Sequence, residues 1–150
     1  MNNSDLEVLE HVENWLANGH QVQWVTLVRC WGSAPRPVGS MAAIRGDGAI
    51  IGSVSGGCIE KELTEVHKKE SEVGVIQRHI SFEEAMRFGL PCGGALELVF
   101  EKQIDKDQID ELISVLRDRK QVCRSLELSS GTTLLEPVTK GQEFEFDGRT

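Results

Sequence analysis

The sequence has no excess of basic charge. Its 16 lysines and arginines stand against 24 aspartates and glutamates, for a net charge of −8 at pH 7. With a pI of about 5.0 and no basic stripe, neither nucleic acid nor an anionic membrane is an expected partner. No apolar run approaches the roughly 20 residues that a membrane-spanning helix needs, so no membrane insertion is expected. The opening stretch MNNSDLEVLE has no basic segment and no apolar one, and it does not read as a secretory signal. A cytoplasmic location is the expectation. The four cysteines, Cys30, Cys58, Cys92 and Cys123, contain no CxxC pair, and the four histidines show no ligand spacing. That argues for free thiols over a disulfide framework and leaves zinc a weak alternative. A Walker loop, a GxGxxG after a strand and a Ser/His/Asp order are all missing as well.

What is there suits a globular chain. At 150 residues, 39% hydrophobic and 27% charged, a single domain over residues 1–150 is expected. Leu6, Leu9, Val12 and Leu16 recur at helical spacing behind a capping-box pair, Ser4 and Glu7, which predicts a helix over about 5–17. QVQWVTLVRC then reads as a strand. MAAIRGDGAIIG reads as a hairpin about Asp47-Gly48, and CIEKELTEVHKK as a helix. VGVIQRHIS is a further strand, and Ser81 with Glu84 caps a short helix. ALELVFE alternates as a strand. Ile109, Leu112, Ile113 and Leu116 form a helical stripe begun by Asp105 or Asp107, and a hairpin turns about Ser130-Gly131. The fold class is therefore α+β, with a mixed or antiparallel sheet, several hairpins and about four flanking helices. The closing DGRT is turn-like, which reads as a fragment of a longer protein.

Three glycine-rich loops carry the chemistry: Gly32 to Gly39, Ser55 to Gly57, and Pro91 to Gly94. The second opens a predicted helix, whose free N–H groups and positive dipole end suit an anion and lower the pKa of Cys58 in its first turn. Glycine lets a ligand or another backbone approach closely. Cys92 follows a proline in a loop, where packing is a weaker reason for a thiol. Cys30 and Cys123 read as core. Arg36, between Pro35 and Pro37, is placed to clamp a phosphate or carboxylate, although a solvated loop arginine is an equal reading. Ser33, Ser40, Ser53 and Ser55 offer hydroxyls. Trp24 reads as core and Trp31 as the wall of a cleft for a flat ligand.

In combination, GSAPRPVGSMAAI, GSVSGGCIE and GLPCGGALELVFE resemble the XdhC/CoxI family, the accessory proteins of xanthine dehydrogenase and carbon monoxide dehydrogenase maturation, in that family's N-terminal domain. The resemblance covers about residues 10–102 well. It implies a chaperone that binds the molybdenum cofactor (molybdopterin) as cargo, supports its sulfuration by a cysteine desulfurase and passes it to an apo molybdenum hydroxylase. By position it makes Cys92 and Cys58 the thiols beside the metal. Arg36, Gly56, Gly57, Gly93, Gly94, Ser33 and Ser55 become contacts to phosphate and pterin, with no catalytic residue assigned. The C-terminal Rossmann-type domain of many family members has no counterpart in these 150 residues. A homodimer is the base-rate expectation. The competing readings are a sulfur-transfer enzyme with Cys58 or Cys92 as nucleophile, and a plain interaction domain whose glycines only shape turns.

Overall fold

A computed structural model of the chain describes residues 3–32, 36–54, 75–87 and 95–138. Helix α1 (Asn3–Ala17) leads into β1 (Val22–Trp31), β2 (Met41–Arg45), β3 (Ile50–Gly52) and β4 (Val75–Ile80). The short helix α2 (Phe82–Arg87), β5 (Ala95–Glu101), helix α3 (Lys106–Arg117) and the pair β6 (Val122–Leu126) and β7 (Thr133–Pro137) follow. The first five strands form one sheet in the order β3-β2-β1-β5-β4, and β6-β7 is a separate hairpin. Every pairing is antiparallel. Of the expected mixed or antiparallel sheet, the antiparallel form is therefore the one built.

The turns form for local reasons. Gly48 takes φ +100°, and the bonds Gly48 N–H to Arg45 O and Arg45 N–H to Ala49 O, both 2.8 Å, close the β2–β3 turn. Gly131 takes φ +75° and closes the β6–β7 turn by donating to Glu127 O at 2.8 Å. Both are left-handed positions that glycine fills without a steric penalty. Helix α3 is capped by Asp105, whose carboxylate accepts from the N–H of Asp107 at 2.9 Å. Ser81 Oγ accepts from Glu84 N–H at 3.2 Å, as the second capping box requires. Helix α1 starts at Asn3, so Ser4 lies inside it and not at its cap.

The count of about four flanking helices is corrected. Among the described residues only α1 and α3 are long, and both pack on the same side of the sheet. The helix expected from Cys58 to Lys69 lies outside the described residues. On the helix side, Val8, Leu9, Val12 and Trp15 of α1 and Ile109, Leu112 and Ile113 of α3 meet Val22, Trp24, Met41 and Ala43. On the other side, Val25, Leu27, Ile44, Val54, Ile80, Leu96, Leu98 and Phe100 form a second cluster. Burying a side chain of this kind contributes roughly 1.5–3 kcal/mol, so β1 and β2, which supply both clusters, anchor the fold. Trp24 is core as expected, 1% exposed, with its indole N–H directed at Met41 Sδ at 3.1 Å. Cys30 and Cys123 are free and half-buried, and Cys30 packs against the second cluster.

Strand β5 forms where ALELVFE alternates, and all seven of its residues are buried. Its two acids are held by arginines. Glu97 lies 3.7 Å from Arg29, and Glu101 is bound by Arg124 through both guanidinium arms.

Candidate functional site

Antiparallel pairing sorts the connections to opposite ends of the sheet. The register pairs Trp31 with Ala95 and Ile80 with Leu96. It pairs Thr26 with Met41 and Ala42 with Gly52. The end of β1, the start of β2, the end of β3, the end of β4 and the start of β5 are thus neighbours. The described residues that flank the three glycine-rich stretches, Gly32 and Ser40, Val54, and Ala95, all sit at this end.

The first stretch is the β1–β2 loop. Leu27 N–H donates to Ser40 O at 2.9 Å and Gly39 N–H to Leu27 O at 2.8 Å, so the loop is pinched shut at its base. Ser40 Oγ donates to Pro37 O at 2.6 Å, which commits this hydroxyl to the loop and not to a ligand. Gly32 and Gly39 take φ +72° and +88° and make the reversals at either end of the loop.

Arg36 sits in this loop, half-buried. Its Nε is shielded from solvent and has no hydrogen-bond partner among the described residues. A merely solvated arginine would not bury that nitrogen. An unmet donor costs about 1–3 kcal/mol, and more on a charged group. A ligand oxygen brought to this N–H would recover that cost.

Beside the loop, β1 opens to solvent. A bulge between Leu27 and Arg29 keeps Cys30 on the face of the second core cluster and leaves Arg29 and Trp31 on the helix-bearing face. Arg29, Glu97 and His79 form one row across β1, β5 and β4. Trp31 is 40% exposed and meets His79 edge to face, centroids 5.4 Å apart at 65°. Trp31 was expected to line a cleft. His79 was not expected at all: it meets Trp31 only because β5 pairs with both their strands, and sequence spacing carries no trace of that.

Of the predicted site residues, Arg36 is placed at the sheet end. Cys58, Cys92, Gly56, Gly57, Gly93, Gly94, Ser33 and Ser55 lie outside the described residues. Among the described residues no group of three or more His, Cys, Asp or Glu is placed to hold a metal ion, and no helix is long and apolar enough to cross a membrane.

Residues 15–69 match the XdhC and CoxI family, a span that contains both the Arg36 loop and the SGGC stretch. The chain belongs to that family. Over 118 residues it is 31% identical to the molybdenum cofactor insertion chaperone PaoD of Escherichia coli strain K12, an alignment covering 77% of this chain and 37% of the relative. Among solved structures it is similar to a xanthine dehydrogenase of Bacillus halodurans, with a TM-score of 0.69 and 23% identity over 86% of this chain and 40% of that one. The latter likeness speaks for the fold. The chain spans about 37% of the length of the curated relative.

Proposed function

We propose that this chain binds the molybdenum cofactor as cargo at the sheet end described above and serves the maturation of a molybdenum hydroxylase. The observation that carries the reading is the buried Nε of Arg36, which has no hydrogen-bond partner among the described residues, in a loop at the sheet end from which all three glycine-rich stretches depart. Membership of the XdhC and CoxI family and likeness to a cofactor insertion chaperone give the ligand its chemical class. That cofactor brings an anionic phosphate, a flat polar ring system and a metal in sulfur-rich surroundings that suits thiol neighbours. The donor set fits: a planar arginine fork is matched to phosphate oxygens.

In this reading Cys92 and Cys58 are the thiols at the metal. Cys92 is three residues before Ala95 and Cys58 six residues after Gly52. Each thiol is thus close in sequence to a strand end at this end of the sheet. Ser33, Ser55, Gly56, Gly57, Gly93 and Gly94 are the contacts proposed for the phosphate and the pterin. The partners are an apo molybdenum hydroxylase, which receives the cofactor, and a cysteine desulfurase, which supplies its sulfur. The chain acts in the cytoplasm as a carrier and not as a catalyst, and a homodimer is the assembly proposed.

The test is pterin absorbance and fluorescence in protein purified from a molybdenum-replete host. A carrier brings bound pterin with it. Protein that is free of pterin but has one cysteine alkylated by iodoacetamide well below pH ~8.5, the ordinary thiol value, would be a sulfur-transfer enzyme instead.

A further inference from the structure

We propose that Trp31, oriented by His79, is the stacking platform for the planar ring of the bound ligand, with the phosphate-binding loop at its side. This rests on the cofactor-carrier reading and assigns the ring end of the site. Four observations converge. Trp31 is the last residue of β1, directly before the loop that holds Arg36. It is 40% exposed, whereas Trp15 and Trp24 are buried at 7% and 1%. Its contact with His79 is edge to face, so whichever ring presents its edge, at least one face of the indole stays uncovered by the imidazole. Its cross-strand partner is Ala95, a side chain small enough to let the indole reach across β5 to β4.

The physical logic is that of a pre-set surface. An exposed tryptophan on a loop would need to be ordered on binding. Here the indole springs from a paired strand and is braced by a second ring, so little rotamer freedom remains to be lost. Stacking on an aromatic face tolerates any flat heterocycle. Arg29 lies on the same face, one pleat away from Trp31, where it pairs with Glu97. Specificity then comes from the Arg36 end, where a ligand must carry an anion to satisfy the buried donor. The ligand class is a planar heteroaromatic ring with an anionic tail.

The experiment measures binding of 6-hydroxymethylpterin, a ring without a phosphate, to the 150-residue chain by calorimetry, alongside the molybdopterin that each variant captures in a molybdenum-replete host. Trp31→Ala should weaken the ring probe about tenfold or more, Trp31→Phe should keep most of the affinity, and His79→Ala should fall between them. Arg36→Ala should leave the ring probe unchanged while lowering molybdopterin capture. Equal probe affinity in Trp31→Ala and wild type, or no measurable probe binding to wild type, overturns the platform. Undiminished molybdopterin capture by Trp31→Ala also overturns it and leaves the carrier reading standing. Wild-type protein that captures no molybdopterin, yet binds the probe through Trp31, removes the carrier reading and leaves the platform.

Discussion

Arg124 grips Glu101 with both arms of its guanidinium, Nη1 donating to Oε2 at 3.0 Å and Nη2 to Oε1 at 2.5 Å. The side chains are only 12% and 4% exposed. Arg124 also donates from Nε to Gln108 Oε1 at 3.0 Å and lies 4.3 Å over the ring of Trp24. One arginine from the β6–β7 hairpin thus ties down β5, β1 and α3. Removing either partner strands a buried charge, which costs about 3–5 kcal/mol. Glu101→Leu and Arg124→Met should each lower the urea unfolding free energy by that order. The double variant should lose far less than the two singles combined. Additive losses would mean that the pair is not coupled.

Gly52 should be nearly irreplaceable. Its φ is +79°, and a Cβ there would sit 2.5 Å from Met41 O and 2.7 Å from Val8 Cγ2. The backbone oxygen belongs to β2 and cannot swing aside. Gly19 has the same φ but nothing within 4 Å of a Cβ. Gly19→Ala should therefore cost only the left-handed strain, about 1–2 kcal/mol. Gly52→Ala should cost clearly more and loosen α1 from the sheet. Thermal melts of the two variants check this, and equal melting temperatures would contradict it.

Asp47 sets a pH dependence. Its carboxyl is held at about 2, below the usual 3.8, first by the side-chain hydrogen bonds from Arg45 and next by the N–H of Ala49. An acid whose folded pKa is depressed stabilises the fold above its unfolded pKa and loses that contribution as pH falls through the folded value. The stability difference between wild type and Asp47→Asn should be constant above pH 5 and shrink between about 3.8 and 2. A carboxyl titration by NMR with its midpoint near the ordinary value would contradict the geometry.

Much of this fold was legible in the sequence, because turns and caps are local. Asp47-Gly48, Ser130-Gly131, Ser81 with Glu84, and Asp105 each act through neighbours within a few residues, and all stand where the pattern put them. What was not legible depends on pairing. Alternation marked β5 as a strand but did not show that arginines far along the chain hold Glu97 and Glu101 in a strand buried on both faces. His79 carried no signal for the same reason. The Arg36 loop was recognisable from its glycines and prolines. That its Nε is buried, with no partner among the described residues, needed coordinates.

Arg36 offers a second handle on the cargo site. Arg36→Ala should weaken cofactor binding by about 1.5–3 kcal/mol, the range for a hydrogen bond to a charged group. Arg36→Lys should restore only part of it, since the planar fork is lost. Because the Nε–H has no partner among the described residues, neither change should lower the melting temperature. Equal affinity in both variants and wild type would remove Arg36 from the site.

The central claim is that one sheet end holds the cofactor between Arg36 and two thiols. The most direct measurement is the pterin and molybdenum that co-purify, per folded chain, with wild type, Cys92→Ser and Cys58→Ser from a molybdenum-replete host. The account predicts bound cofactor on wild type, loss of most of it in Cys92→Ser, a smaller loss in Cys58→Ser, and nearly unchanged melting temperatures throughout. Full cofactor content in both cysteine variants, or none on wild type, would contradict it.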